Sequence, residues 1–294
     1  MLRLFTSLTA MLSICLAAAP HAQAEGERPA EVRAATPLAD GKAEAGWKGF
    51  KPWIARRNRG GNLLWEHTLG EEGGRFSAVA VLTGGGFVAA GSENIQVGPA
   101  WAAGFDADGK LLWTQRLGKE TYDAAAIAAL PDGGAVLAGG ENSGAATARW
   151  AARLNAGGRL VWYRTFDGKD NRGSAGAIAL LPGGAILIAG QRWHGCMCED
   201  YRAGEPWASL LDAKGGTVWA KDFGEAFKSG PAAGEHADFL LRSAEAADGG
   251  ITLKGDAIEF VRAQVTRTVG TWVLRLDAGG TVTGTDYSKA PISE

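Results

Sequence analysis

The 294-residue sequence predicts an all-β fold assembled from repeats of a four-stranded unit. Three observations predict it. The chain contains 44 glycines and 11 tryptophans, a composition typical of many short strands joined by tight turns. One segment, which we call the tryptophan segment, recurs five times with tryptophan at fixed positions. A second segment, apolar and interrupted by a glycine-rich turn, lies between successive copies of the first.

The tryptophan segment predicts a β-hairpin, because each copy contains a strand, a turn of Asp or Asn followed by glycine, and a second strand. Four copies begin and end with tryptophan: WIARRNRGGNLLW (53–65), WAAGFDADGKLLW (101–113), WAARLNAGGRLVW (150–162) and WASLLDAKGGTVW (207–219). A fifth copy, WVLRLDAGGTVTG (272–284), has Gly284 at the position of the second tryptophan. The acidic run from Asp106 to Gly109 is therefore explained by turn chemistry rather than by a calcium loop.

The second segment predicts the other two strands of the unit. Its copies are FSAVAVLTGGGFVAAG (76–91), AAAIAALPDGGAVLAGG (124–140), SAGAIALLPGGAILIAG (174–190) and ADFLLRSAEAADGGITLKG (237–255). The first tryptophans occupy positions 53, 101, 150, 207 and 272, and this spacing is near the length of a four-stranded propeller blade. Alanine-rich first strands suit the narrow inner edge of a blade, and the tryptophans are expected to fill the wedges between neighbouring blades.

Two motifs carry a resemblance to known repeats. The segment from Asp106 to Trp113, DADGKLLW, resembles the tryptophan-docking repeat of quinoprotein-type propellers. LPDGG at 130–134 resembles secreted bacterial repeats of the form LPDGG-apolar-AG … W … LD-x-x-G-x-x-x-W, the better match. The resemblance covers residues 53–287 and implies a β-propeller. It implies no single activity, because such propellers include enzymes, scaffolds and sensors.

The repeats predict a small propeller-like array of four to five blades with an incomplete first blade. Four complete units run from Phe76 to Tyr287, and one further hairpin, Trp53 to Leu69, precedes them. Residues 25–46 have neither periodicity and are predicted to be a flexible leader. The repeat domain is assigned to residues 47–288 and a tail to 289–294. An open array, or a homo-oligomer such as a dimer that completes the ring, is the alternative.

The N-terminus predicts export. Residues 1–24 have a basic residue, Arg3, an apolar run to Ala19 and a small-residue pattern at Ala22-Gln23-Ala24, which together are typical of a cleaved signal peptide. The expected location is periplasmic or secreted. No later run approaches the roughly 20 apolar residues of a membrane span. The formal net charge of −2, with no basic stripe, argues against a nucleic-acid partner.

One loop departs from the repeat and is the predicted functional surface. The stretch from the glycine that ends the second strand to the next tryptophan has the same length in two units, Gly91 to Trp101 and Gly140 to Trp150. The equivalent stretch from Gly190 to Trp207 is longer and therefore contains an insertion. Insertions on one face of a repeat protein are common binding sites. The predicted binding residues in this insertion are Trp193, His194, Glu199, Asp200 and Tyr201.

The same insertion holds His194, Cys196 and Cys198. These three side chains are suitable ligands for copper or zinc. In an exported protein, Cys196 and Cys198 are instead expected to oxidise, either to a strained disulfide with each other or to bridges between chains. A strained, exposed disulfide would also permit thiol exchange.

A second insertion, AIEFVRAQVTR between Gly255 and Trp272, alternates as an extended strand does. It therefore predicts a lengthened hairpin in the last unit, with a partner-binding edge as the alternative.

These observations favour an exported, non-enzymatic binding or scaffold protein that contacts a protein or envelope partner through inserted loops on one face. The alternative is a metal-binding or thiol-redox protein that uses His194, Cys196 and Cys198. No cofactor is expected under the first hypothesis, and copper or zinc under the second. A quinoprotein-type dehydrogenase is the least favoured interpretation, and no motif for nucleophilic catalysis or phosphate binding occurs in the sequence.

Overall fold

Five antiparallel four-stranded sheets form the protein. The computed structural model describes residues 29–70, 73–94, 98–118, 122–141, 148–166, 173–194, 202–228, 238–247, 249–262 and 265–290. In every sheet the four strands are consecutive in the chain and neighbours in space. Each sheet is therefore a simple meander, and we call the sheets blades 1 to 5.

The strands have the following bounds. Blade 1 contains β1 (Glu31–Leu38), β2 (Gly41–Lys48), β3 (Lys51–Asn58) and β4 (Leu63–Thr68). Blade 2 contains β5 (Arg75–Val81), β6 (Phe87–Ser92), β7 (Ala100–Phe105) and β8 (Leu111–Leu117). Blade 3 contains β9 (Tyr122–Ala129), β10 (Ala135–Glu141), β11 (Arg149–Leu154) and β12 (Leu160–Phe166).

Blade 4 contains β13 (Gly173–Leu180), β14 (Ile186–His194), β15 (Arg202–Leu211) and β16 (Thr217–Asp222), with a short 3-10 turn at Pro182–Gly184. Blade 5 contains β17 (Asp238–Ala247), β18 (Gly250–Arg262), β19 (Val265–Leu276) and β20 (Val282–Lys289). A single helical turn, α1 (Gly224–Lys228), follows β16. The all-β prediction is confirmed, as are the four units from Phe76 to Tyr287.

The first blade is complete, which corrects the predicted incomplete first blade and, over residues 31–46, the expected flexible leader. Residues 31–48 form β1 and β2, and β2 pairs along its whole length with β3. The sequence missed this pair because EVRAATPL and GKAEAGWK lack both the apolar run and the Gly-Gly turn of the other blades. Blade 2 supplies the missing apolar surface, since Ala43, Ala45 and Ile54 are buried against Phe76 and Phe87.

The five innermost strands surround one cavity. The strands β1, β5, β9, β13 and β17 follow one another side by side, and residues from all five line a cavity of about 280 Å³. A meander places the first and third turns of each blade at one end, which we call the turn face. The second loop and the connection to the next blade lie at the other end, which we call the loop face.

Five tryptophans lie nearest the loop face, and four of them pack toward the preceding blade. They are the first tryptophans of the five repeats (53, 101, 150, 207 and 272), and all are buried. Trp101 packs with blade 1, Trp150 with blade 2, Trp207 with blade 3 and Trp272 with blade 4. In every blade a glycine lies opposite this tryptophan on the neighbouring strand, at positions 46, 91, 139, 190 and 255.

The second tryptophans pack forward onto the next blade. Each indole lies against the glycine that ends the Asp/Asn turn there: Trp65 on Gly109, Trp113 on Gly158, Trp162 on Gly215 and Trp219 on Gly280. These glycines have φ between +73° and +84°, a conformation that glycine adopts without steric cost. A Cβ atom on Gly109 would lie 2.6 Å from the Trp65 ring. Only glycine therefore fits both the backbone and the indole, and the predicted wedge-filling role of these tryptophans is confirmed.

The turns that hold these glycines are built by the recurring Asp or Asn. Asp106 Oδ1 accepts hydrogen bonds from the amides of Asp108 (3.0 Å) and Lys110 (2.8 Å). Asp212 Oδ1 does the same for Lys214 and Gly216, both at 2.8 Å. The carboxylate is thus occupied by its own turn, as the repeat predicts.

Replacing Gly158 with Ala should destabilise the protein more than replacing Gly183 with Ala. Both glycines have a left-handed φ (+77° and +83°), so both variants carry a backbone strain of about 1 kcal/mol. A Cβ on Gly158 would also overlap the Trp113 ring, whereas one on Gly183 would meet no described atom within 4 Å. We expect a further loss of about 1–3 kcal/mol in the free energy of unfolding of Gly158→Ala. Urea denaturation measures it, and equal losses in the two variants would contradict the docking role of Trp113.

Candidate functional site

The loop face carries the largest departures from the repeat. In each blade the second and third strands form a hairpin, and we count its paired residues from the glycine–tryptophan pair toward the loop face, calling each pair a rung. Blades 2 and 3 have one further rung each, Ser92 with Ala100 and Gly140 with Arg149. The β14–β15 hairpin of blade 4 has four further rungs. The β18–β19 hairpin of blade 5 has six and ends where Arg262 pairs with Val265. Neighbouring blades 4 and 5 therefore extend farthest at the loop face, and the lengthened hairpin predicted for the last unit is confirmed.

The predicted site residues lie at the tip of the blade 4 hairpin. Trp193 pairs with Gly204 and His194 with Arg202, and these are the last two rungs of the hairpin. Cys196, Cys198, Glu199, Asp200 and Tyr201 lie outside the described residues. The structure thus shows where β14 enters the insertion, and it describes two of the predicted site residues, Trp193 and His194.

The base of this hairpin is held by polar contacts. Arg192 Nη1 donates to Asp222 Oδ2 of β16 at 2.9 Å. One rung inward, Gln191 is buried, and its Nε2 donates to the backbone oxygen of Phe239 in blade 5 at 3.5 Å. The guanidinium of Arg149, 8% exposed, lies 4.3 Å from the centre of the Trp207 ring, a cation–π arrangement. The projecting hairpin therefore stands on a well-anchored base.

Helix α1 anchors the connection from blade 4 to blade 5. Phe223 and Phe227 are buried. The Phe227 ring stacks on Phe239 at 4.2 Å between centroids and meets Trp272 edge-on at 5.2 Å. Phe223 and Phe227, four residues apart in the sequence, are the signal that this connection packs onto blade 5.

A β-bulge recurs in every innermost strand and was not predicted. The register shifts by one residue at Arg33, Ser77, Ala125, Gly176 and Arg242. A bulge turns its extra residue out of the ladder and is common beside functional sites. Four of the bulged residues line the central cavity. All five lie near the loop-face end of their strands, so this part of the cavity lies beneath the projecting hairpins.

The bulged residues give the cavity an uneven lining. Ala125 and Gly176, on blades 3 and 4, are small and exposed, and a Cβ on Gly176 would meet no described atom within 4 Å. Ser77 Oγ donates to Asp123 Oδ1 at 3.1 Å, and Arg75 pairs with the same carboxylate at 2.5 Å. Arg242 pairs with Asp256 at 2.8 Å. The polar residues of the lining are therefore Ser77 on blade 2 and Arg242 and Ser243 on blade 5, around a space that could hold a small ligand or one side chain of a partner.

The described residues meet neither the requirements of a metal site nor those of a membrane-spanning helix. Within the described ranges, no three His, Cys, Asp or Glu side chains are grouped so as to hold a metal ion. That search does not reach Cys196 or Cys198. Among the residues that the structure places, no helix has the length and apolar character needed to cross a bilayer.

Comparison with solved structures shows the β-propeller fold. A polysaccharide lyase of family PL25, an ulvan lyase, matches with a TM-score of 0.56 and 10% identity, over 90% of this chain and 72% of that one. Sqt1 from Chaetomium thermophilum matches with a TM-score of 0.50 and 11% identity, over 88% and 72%. A quinohemoprotein alcohol dehydrogenase from Comamonas testosteroni has a TM-score of 0.49 and 12% identity, and this chain covers 43% of its length. No family model and no curated protein matches the sequence.

The bulge geometry predicts opposite effects of alanine at two glycines of blade 4. A Cβ on Gly176 would have no described neighbour within 4 Å, so Gly176→Ala should be neutral or stabilise the fold by up to about 1 kcal/mol. A Cβ on Gly190 would overlap the backbone oxygen of Ser174, so Gly190→Ala should cost about 2 kcal/mol or more. Urea midpoints compare the two variants. A large loss in Gly176→Ala would show that this bulge does not face open space.

Proposed function

We propose that the protein is an exported, non-enzymatic propeller that binds a protein or envelope partner through its loop face. The observation that carries the proposal is the unequal length of the loop-face hairpins. Blades 1 to 3 end at most two rungs beyond their glycine–tryptophan pair, whereas blades 4 and 5 extend by four and six. Extra length here is not needed to build a blade, because three blades are built without it.

Three further features support this binding role. The β14–β15 hairpin leads into the segment with Glu199, Asp200 and Tyr201, and Trp193 and His194 form its last rungs. Its base is fixed by Arg192, Gln191 and the buried blade interface, so a bound partner would meet a preorganised support. The cavity beneath offers room for one inserted side chain.

The proposed location rests on the sequence. Residues 1–24 have the pattern of a signal peptide, and the repeats resemble those of secreted bacterial propellers. The proposed partner is accordingly a component of the cell envelope. The turns of the opposite face are short and repeat with little variation, so they offer less to distinguish one partner from another.

Shortening the blade 4 loop should abolish partner binding. The variant replaces residues 195–201 with Asn-Gly, a two-residue hairpin turn that links His194 to Arg202. The matched control is Lys214→Ala, an exposed turn-face residue of the same blade. Wild type and control, purified from the native envelope after mild crosslinking, should retain a common partner, whereas the loop variant should lose it at unchanged melting temperature. Retention by the loop variant, or no partner for wild type, would contradict the proposal.

The alternative function is metal binding or thiol redox chemistry through His194, Cys196 and Cys198. Its support is positional: His194 ends β14, and both cysteines follow closely in the chain. Intact mass before and after reduction and alkylation, with elemental analysis, separates these possibilities. Stoichiometric copper or zinc that is lost in Cys196→Ser would establish the metal site. A mass deficit of two hydrogens per chain without metal would exclude it and indicate an intrachain disulfide.

A further inference from the structure

The junction between blades 5 and 1 lacks the tryptophan dock of the other four junctions. At each of those, an indole covers the turn glycine of the next blade. Blade 5 has Gly284 at the tryptophan position, and the turn glycine of blade 1 is Gly61. Gly61 has the same conformation as the other four, with φ +83°, but a Cβ placed on it would have no described atom within 4 Å. The acceptor half of the dock is therefore formed, and no residue that the structure describes covers it.

An arginine column shows the same difference. Three residues after the first tryptophan, Arg56 and Arg153 donate from their Nη1 atoms to turn oxygens of the next blade, those of Ala107 (3.2 Å) and Ala213 (2.6 Å). Their side chains are 22% and 21% exposed. The equivalent Arg275 is 51% exposed and pairs with Asp286 of its own blade at 2.6 Å. At this junction the arginine is held within blade 5 instead of bridging to blade 1.

The facing surfaces of the two blades are charged. In blade 1, Trp53 and its neighbours Glu44, Arg57 and Glu66 lie on the face opposite the one that packs on blade 2. This is the face that the first tryptophans of the other blades turn toward the preceding blade. Arg57 pairs with Glu44 at 2.8 Å. Hydrogen bonds from Lys48 Nζ and Trp53 Nε1 lower the pKa of the Glu66 carboxyl below its ordinary value, outweighing the effect of burial. The carboxylate is therefore ionised at neutral pH, and its partners lie in its own sheet.

Blade 5 also carries charged side chains, and they form ion pairs within the blade. Lys254 pairs with Glu245 at 2.9 Å and Arg242 with Asp256 at 2.8 Å, both on the face opposite the Leu253 and Leu274 side that packs on blade 4. Apolar clusters join blades 1 to 2, 2 to 3, 3 to 4 and 4 to 5, and in the described part of the chain none joins 5 to 1. No apolar cluster of described residues spans this junction, where the buried Trp53 is instead hydrogen-bonded to Glu66 of its own sheet.

We infer that the uncovered dock at Gly61 is a binding site for a tryptophan side chain carried by an extended segment of a partner protein. The four filled docks define the ligand. In each of them the indole belongs to the outermost strand of the preceding blade. In blade 5 this strand is β20, which has no tryptophan, so the partner segment would lie along β20 and supply the indole. Space for it exists on both sides, since a Cβ at Gly284 would meet only Arg275 Nη1, at 3.6 Å. The site lies on the turn face and is independent of the loop-face proposal.

A second copy of this chain is a poor donor of that tryptophan. The second tryptophans (65, 113, 162 and 219) already cover glycines of their own chain. The first tryptophans are at most 5% exposed. Trp47 lies beneath the guanidinium of Arg33, 4.6 Å from its ring centre. Ten of the eleven tryptophans are thus already placed, and the eleventh is Trp193 in β14. The proposed occupant is a different protein, whose tryptophan would join blade 5 to blade 1 from outside, and self-association that is lost in Trp193→Ala would overturn this choice of occupant.

The test uses a peptide copied from a filled dock, GKLLWTQRL (109–117), and the same peptide with Trp replaced by Ala. Titration followed by amide NMR of the full mature chain should show saturable shifts at Gly61 and along β20. Affinity should be at least about tenfold higher for the tryptophan peptide. Equal affinities, or shifts confined to other blades, would overturn the inference.

Variants fill or block the dock from within. Gly284→Trp should raise the melting temperature by about 2–4 °C and abolish peptide binding, whereas Gly284→Ala should keep binding. Gly61→Ala places a methyl group where the indole would lie and should weaken binding, with Gly49→Ala, another left-handed glycine with open space, as its control. Undiminished binding in both Gly284→Trp and Gly61→Ala would overturn the inference even if Gly284→Trp is less stable than wild type.

Discussion

The contact between an indole and the turn glycine of the next blade is the interaction on which the architecture depends. A propeller blade is wider at its outer edge than at its inner edge, so neighbouring blades leave a wedge that must be filled. Alanines fill the narrow side, and the tryptophans fill the wide side. The turn position requires glycine for two reasons: its φ is left-handed, and the indole ring leaves no room for a Cβ atom. One pair of residues thus couples the geometry of a turn to the spacing between two sheets.

This coupling explains which parts of the fold were predictable. Trp113 and Gly158 belong to different repeats, but each recurs at a fixed distance from a turn Asp or Asn, so hairpins, blades and wedge-filling rings could be inferred together. The first two strands could not be, because GKAEAGWK is buried by a neighbouring sheet rather than by an apolar pattern of its own. The bulges at Ala125 and Gly176 were equally hidden. A one-residue excess in a strand becomes visible only when its partner's register is known.

The position of the candidate site could be predicted from the sequence, but the contacts that support it could not. The insertion after Gly190 was found by counting against the repeat, and the structure shows that it continues β14 and β15 before it leaves the described residues. Its support by Gln191, Arg149 and α1 depends on contacts between blades, which no local pattern encodes. A regular scaffold of this kind confines variation to loop lengths and to the single junction where the repeat is broken. The long loop-face hairpins and the junction between blades 5 and 1 are thus both found by comparison with the other repeats.

The central claim is that the indole contacts hold neighbouring blades together and that one junction is without them. Amide hydrogen exchange of wild-type protein, resolved by residue, tests it most directly, because the five turns have the same internal hydrogen bond. In each, the glycine amide donates to the backbone oxygen of the turn Asp or Asn at 2.9–3.1 Å, from Gly61 to Asn58 in blade 1 and from Gly109 to Asp106 in blade 2. The account predicts that the Gly61 amide exchanges fastest and that Gly109, Gly158, Gly215 and Gly280 are protected by their tryptophans. Equal protection of all five would contradict it.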